Sequence, residues 1–454
     1  MSQCPVVSRR KPLSRRPAAP RRGLLALAAS LLVACGSLQA QSLAQLYEAA
    51  RGYDATYLAA RAQADSAQYR YEQVKALNRP SVNLSASATR SETDVPVIGR
   101  SSGNDGSAQI SALQPLFNRT NDAVIDQAER VFVASMSELE AAEQELILRV
   151  TQAYFDVLAA QDALETTRAN KTAIAEQLAS AKRNFEVGTA TITDTREAQA
   201  RFDLAVAQEI VAENTLRNTR IALDQLFGRA DIEPRPLQVP VQLTTLEPRP
   251  LEQWVAEAED SPAVRQARLA YDVAQLETER ARAGHLPTVD LIGGVSSNRT
   301  TARRTTTLAG TTTQAQIGLQ LNLPLFAGYS IQNRVKETLA LEESSLNQLQ
   351  ATRRSVDQAT RQAFFAVQSG EATVRALEAA EASNQLALEA TQLGYKVGVR
   401  VNLDVLNAQT QLFTTRRDLQ RARYDAIVNS LRLRQAAGVL DEQDVAGVNR
   451  LLMP

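Results

Sequence analysis

An unbroken helical periodicity runs from residue 121 to residue 187, and it recurs from about 330 to 397. In the first stretch Leu139, Ala142, Leu146, Val150, Ala153, Val157, Ala160 and Leu164 step by threes and fours. That spacing makes a coiled-coil seam, and its alanines let a partner helix come close. At about 1.5 Å per residue, the 67 residues form a rod of about 100 Å. Aromatic residues are only 5% of the chain and alanine is abundant, which suits helices packed through small side chains better than a thick globular core.

The recurrence is a repeat. NFEVGTATITDTREAQ at 184–199 is answered by GYKVGVRVNLDVLNAQ at 394–409, with Gly188 matching Gly398 and Asp194 matching Asp404. TQAYF (151–155) answers RQAFF (361–365) and Gly228 answers Gly438, all at an offset of 210. Pro115-Leu116-Phe117 and Pro324-Leu325-Phe326, Pro80 and Pro287, and Leu43 and Leu251 match at 209, 207 and 208. The chain is a tandem repeat of about 208 residues, with copies at 41–227 and 251–437. A connector with five prolines, 228–250, reads as non-helical, and 438–454 forms a C-terminal segment beside the middle of the rod.

Each copy has the same order, beginning with a helical stretch at 43–77 or 251–283. Two strand-like runs follow, at about 80–90 and 107–117 in the first copy and about 286–297 and 313–326 in the second. In the last of these Ile317, Leu319, Leu321 and Leu323 alternate with Gln316, Gly318, Gln320 and Asn322. The polar segments SETDVPVIGRSSGNDG and SNRTTARRTTTLAGTTT read as long flexible loops between the runs. After the long helix, Gly188 or Gly398 ends it in the C′ manner, and a shorter helix follows at 194–227 or 404–436. The two short helices of a copy, at about 50 Å each, equal the long one when stacked end to end. The glycine turns therefore lie about 100 Å from the strands.

Residues 1–40 read as a secretory signal peptide, with seven basic residues before the apolar run GLLALAASLLVA. Leu38-Gln39-Ala40 suits ordinary signal peptidase, whereas Leu32-Val33-Ala34-Cys35 resembles a lipobox that would lipidate Cys35. Cleavage after Ala40 removes both cysteines and leaves 43 basic against 50 acidic residues, a charge of −7. That balance excludes nucleic acid as a partner and leaves no cysteine for a disulfide or metal site. No later apolar stretch reaches the length of a transmembrane helix, so an exported chain is either free in its compartment or reaches a membrane through β-strands.

Four alternating strands of about ten residues match the pattern of a transmembrane barrel. A small soluble sheet with one wet face is the alternative, and with it a periplasmic coiled-coil adaptor or scaffold. Bacterial barrels start at about eight strands and an open edge cannot stand in lipid, so a barrel requires several chains. QAYFDVL (152–158), FEVGTATITD (185–194), GHLPTVDL (284–291), LPLFAG (323–328) and YKVGVRVNLDVLNA (395–408) resemble the TolC family of outer-membrane channel-tunnels. The resemblance spans essentially the whole chain from Ser42 and also suits cleavage after Ala40. It implies a mainly α protein with a small β part, three protomers, a 12-stranded barrel and a 12-helix periplasmic tunnel. It also implies an exit duct in the outer membrane, served by a periplasmic adaptor and an inner-membrane transporter, either ABC-type or proton-driven.

Nothing in the sequence points to an enzyme or a cofactor. The single histidine, His285, precedes a strand and reads as a packing or interfacial residue; Trp254 alone offers no stacking platform. Arg299, Arg303 and Arg304 read as a solvated external loop. At the tips, Asp194 reads as an N-cap with Glu197 three residues on, and Asp404 as a cap likewise. Asp404 and Asn407 are spaced i, i+3 and share a helix face, which in a closed ring of chains would face the pore. The family resemblance assigns entrance-closing links from Tyr395 to Asp194 and from Arg400 to Thr193, and an adaptor surface at Val187, Gly188, Val397 and Gly398. It also implies a pair of acidic positions at the constriction, of which Asp404 is the first while the second is Asn407, leaving one carboxylate ring instead of two. The first copy has Gly52-Tyr53-Asp54 where the second has the more family-like Asp260-Ser261-Pro262, so the opening helix is the least regular part of the pattern.

Overall fold

A computed structural model of the chain describes residues 42–95, 99–229, 232–238, 249–301 and 309–453. Residues 1–41, expected to hold the signal peptide and Cys35, and Arg303 and Arg304 lie outside the described residues. Nine α-helices and four strands are found among those described: α1 Leu43–Tyr53, α2 Ala55–Lys75, β1 Ser81–Val95, β2 Gly99–Phe117, α3 Arg119–Glu186, α4 Ile192–Phe227, α5 Leu251–Ala258, α6 Pro262–Ala283, β3 Thr288–Thr300, β4 Gly310–Asn322, α7 Ser330–Lys396, α8 Asn402–Ala436 and α9 Glu442–Asn449. No helix among the described residues is long and apolar enough to cross a membrane.

The opening stretch of each copy is two helices. Asp54 interrupts the first, accepting from the Tyr57 N–H at 2.8 Å to cap α2 and pairing with Arg149 of α3 at 3.1 Å. In the second copy the break falls before Pro262, which occupies the first turn of α6, where a missing N–H costs nothing. These breaks receive the C-terminal ends of α4 and α8. Gly228 ends α4 under the ring of Tyr53, and Gly438 follows α8 against Ser261, so close that a Cβ on Gly438 would lie 2.6 Å from the Ser261 Cα. The short helices thus stack end to end along the long ones.

The core lies at this junction, near the midpoint of α3. Tyr154, Phe155, Leu146 and Ile147 of α3 pack there with Leu43 and Leu46 of α1, Leu223 of α4 and Ile427 of α8. Phe155 stacks on Tyr424 at 5.4 Å. The Tyr154 hydroxyl accepts from the Arg235 N–H at 2.7 Å, strapping the connector across the core, and the Gln238 N–H donates to the Leu451 carbonyl at 2.9 Å. The C-terminal segment, with α9 against α1, closes the same level.

All four strands form one antiparallel sheet in the order β1-β2-β3-β4. Register places Val82, Ala112, Gly293 and Ile317 in one row, and Leu84, Ile110, Val295 and Ala315 in the next. The opposite face carries the rows Asn83, Ser111, Gly294, Gln316 and Ser85, Gln109, Ser296, Gln314. Over these rows one face is apolar across four strands and the other polar, and the polar face turns apolar only at Leu113 and Ile292, one row nearer the helices. The apolar face is open: Ile317 is 81% and Leu84 74% exposed. Both outer strands, β1 and β4, leave an unpaired edge.

The first-copy hairpin departs from the expected loop. SETDVPVIGRSSGNDG is mostly strand, with Glu92 opposite Ser102 and Asp94 opposite Arg100, and Arg100 pairs with Glu92 at 2.6 Å. Its Ser, Thr and charged pairs sustain a ladder that is polar on both faces, so no alternation marks it. In the second copy β4 stops at Asn322, short of Phe326, because Pro324 supplies no ladder N–H; at Pro115 the same interruption is absorbed by a shift in register between Pro115 and Phe117.

Candidate functional site at the helix tips

The two hairpins α3/α4 and α7/α8 end in similar turns. Gly188 and Gly398 adopt φ of 77° and 82°, a left-handed conformation in which Thr189 N–H reaches the Asn184 carbonyl and Val399 N–H the Gly394 carbonyl, at 2.8 and 2.9 Å. Val187 and Val397 project into solvent beside them, 72% and 65% exposed.

The caps differ from the sequence expectation. Thr191, not Asp194, is the N-cap of α4; its hydroxyl accepts from the Asp194 N–H at 3.2 Å while the Asp194 carboxylate accepts from the Thr191 N–H at 2.9 Å. Asp194 is therefore the third residue of the helix in a reciprocal capping box, and Glu197 plays no part in it. Val401 precedes α8 without any side-chain cap, and Asp404 sits in the first turn, where its charge meets the positive end of the helix dipole.

Within one chain, the side chains expected to link the tips find other partners. Tyr395 accepts from Asn184 Nδ2 at 3.1 Å instead of bonding Asp194, and Arg400 lies 3.6 Å from Asp404 of its own turn instead of reaching Thr193. Tyr395 still joins the second tip to the first, through a residue of α3.

Three further links hold α8 against the first hairpin. Leu406 is fully buried among Ile174, Leu178 and Ala181 of α3 and Ala198 and Ala205 of α4. Gln177 Nε2 donates to Asn402 Oδ1, and Arg201 Nη2 donates to Asn407 Oδ1 at 2.9 Å. Towards α7, α8 packs Val405 and Leu412 on Leu388 near the tip, and further along Thr415, Arg416 and Arg423 bond Asn384, Glu381 and Glu378. Near the tip the α3/α8 seam thus combines buried amides with the buried Leu406. Asn402 and Gln409 are seven residues apart on α8, as Asn170 and Gln177 are on antiparallel α3, and Asn170, Asn402 and Gln409 are all buried. One level beyond the Gln177–Asn402 bond, Asn170 Oδ1 and Gln409 Nε2 are each buried without a hydrogen-bond partner. Higher still, Tyr424 donates to Asp162 at 2.5 Å, and burial holds the Asp162 carboxyl above its ordinary pKa despite that bond. The seven-residue spacing of these amides is a sequence signal that could have marked the seam; nothing local marks Arg201, whose partner is 206 residues away.

The remaining singled-out residues lie elsewhere. His285 is exposed just after α6, Arg299 sits in β3 opposite Gly106 and Thr311, and Trp254 is buried against Val367 and Leu433, with the Arg249 guanidinium 5.5 Å from its ring centre. No cluster of potential metal ligands occurs among the described residues.

Comparison with known proteins shows the family and the fold. The chain is 34% identical over 427 residues to outer membrane protein TolC of Vibrio cholerae, covering 94% of this chain and 97% of that protein. It is 34% identical over 349 residues to the alkaline protease secretion protein AprF of Pseudomonas aeruginosa, covering 74% and 70%. A crystal structure of CusC superposes with a TM-score of 0.77 at 19% identity, over 87% of this chain and 92% of the other, and shows the same fold. The family model described as outer membrane efflux protein matches twice, at residues 46–229 and 256–439, and the chain belongs to that family.

Proposed function

We propose that the chain is the outer-membrane exit duct of a tripartite export system: a passive channel-tunnel that carries substrate from an inner-membrane transporter to the exterior. The sheet is the observation that carries this reading. It has a continuous apolar face, a polar face and two unpaired edges, and it leads directly into helices of about 100 Å. An apolar face suits lipid, a polar face suits a water-filled lumen, and neither edge can remain open in a bilayer. Edge-to-edge joining of three chains gives twelve strands and removes every edge. The same joining arranges α3, α4, α7 and α8 of three chains into a tunnel. A periplasmic adaptor without a barrel would have no use for a lipid-facing row such as Leu84, Ile110, Val295 and Ala315.

The tip turns, with Val187, Gly188, Val397 and Gly398, are the exposed end that a periplasmic adaptor would grip. The entrance opens when α7/α8 moves off α3/α4 in an iris-like motion. The seam it crosses holds buried amides that can exchange partners with water, while the α7/α8 hairpin, joined by apolar contacts at the tip and ion pairs further along, moves as a unit. Asp404 and Asn407 form the constriction. The duct supplies no energy or chemistry; AprF is named for protease secretion, and an exported protein is one substrate class that such a duct can pass. Fractionation tests this: the protein is expected in the outer membrane as a detergent-resistant, heat-modifiable oligomer. A soluble monomer would overturn the reading.

A further inference from the structure

We infer that Arg201 sets the charge preference of the entrance, and that Asn407 serves to position it. This rests on the duct reading above. Arg201 extends from α4 across to α8 and donates to the neutral amide oxygen of Asn407 at 2.9 Å. Among the described residues no carboxylate forms an ion pair with it: Asp203 on its own helix accepts from Gln199, Asp194 is held by Thr191, and Asp404 faces Arg400. An amide acceptor fixes the direction of a guanidinium without cancelling its charge, whereas a carboxylate would fix and cancel it together. Asn407 is exposed one turn beyond Asp404 on the same face of α8. Each chain therefore presents at the mouth one carboxylate, already near Arg400, and one uncompensated cation a turn further in.

This changes what a carboxylate at position 407 would do. It would arise within hydrogen-bond distance of a guanidinium and be neutralised, so the Asn407→Asp chain gains no free acidic ring. The charge at this level falls by one in Arg201→Gln and in Asn407→Asp, and by two in the double variant. Three unit charges about 7 Å from a permeant ion in water, screened over about 8 Å, favour a cation and disfavour an anion by roughly threefold each, or about a tenfold change in the cation-to-anion permeability ratio per step.

Reversal potentials of the reconstituted full chain under a KCl gradient test the inference. The expected order of cation preference is wild type and Arg201→Lys lowest, Arg201→Gln and Asn407→Asp equal in the middle, and Arg201→Gln/Asn407→Asp highest. Asp404→Asn is the reference for the duct reading, and it should lower cation preference. If Asp404→Asn has no effect, this face does not line the pore and the duct reading of it fails. If Asp404→Asn shifts the potential while Arg201→Gln does not, or if Asn407→Asp alone matches the double variant, the role assigned to Arg201 is overturned.

Discussion

Ile317→Arg should abolish assembly into the outer membrane, while Gln316→Arg one residue earlier should be tolerated. Ile317 sits on the apolar face in a row with Val82, Ala112 and Gly293, and Gln316 sits on the polar face with Asn83 and Ser111. A cation on the lipid face near the bilayer midplane costs about 2–4 kcal/mol, and three chains would carry three of them. On the polar face the same side chain meets water. Heat-modifiable oligomer in the membrane fraction measures both variants, and equal behaviour of the two would contradict the assignment of faces.

Leu406→Ala should open the entrance. The side chain is fully buried between α3 and α4, and removing such a leucine costs about 2–5 kcal/mol. If α8 leaves α3/α4 on opening, that loss acts on the closed state alone and shifts the equilibrium by roughly 30-fold or more. The main core around Tyr154, Phe155 and Tyr424 does not include Leu406, so oligomer stability should change little. Closed-state conductance in planar bilayers should rise strongly in Leu406→Ala. It should rise less in Gln177→Leu, because a single hydrogen bond contributes only about 0.5–1.5 kcal/mol. An unchanged resting conductance in Leu406→Ala would remove α8 from the gate.

The long helices were legible because 67 residues of regular spacing leave few other readings, and α3 and α7 have 68 and 67 residues. The alternation around Ile317 and Leu319 was equally direct, since a sheet with one apolar and one polar face imposes a period of two. Where the apolar face ends, so does the signal: residues 91–95 and 99–106 continue β1 and β2 with mostly polar residues, and read as a loop in the sequence. At the tips, Thr191 and Asp194 are both capable of capping, and only the backbone decides which one precedes the helix. Family resemblance placed Tyr395, Arg400 and Asp404 at the tips but not their partners within one chain. Asn184, Arg201 and Leu406 engage residues more than 200 positions away in sequence, or a neighbouring hairpin, and such pairings leave no local pattern.

Closure of the sheet between chains is the central claim. A chain carrying Ser85→Cys on β1 can be combined, one at a time, with cysteines at Gln314, Gln316 and Gln320 on β4, all on the polar face. Oxidation in the membrane should give, for at least one pair, a covalent ladder that ends at three chains and stays in the outer-membrane fraction. Cross-linking confined to single chains at every pair, or a ladder continuing past three, would contradict the account.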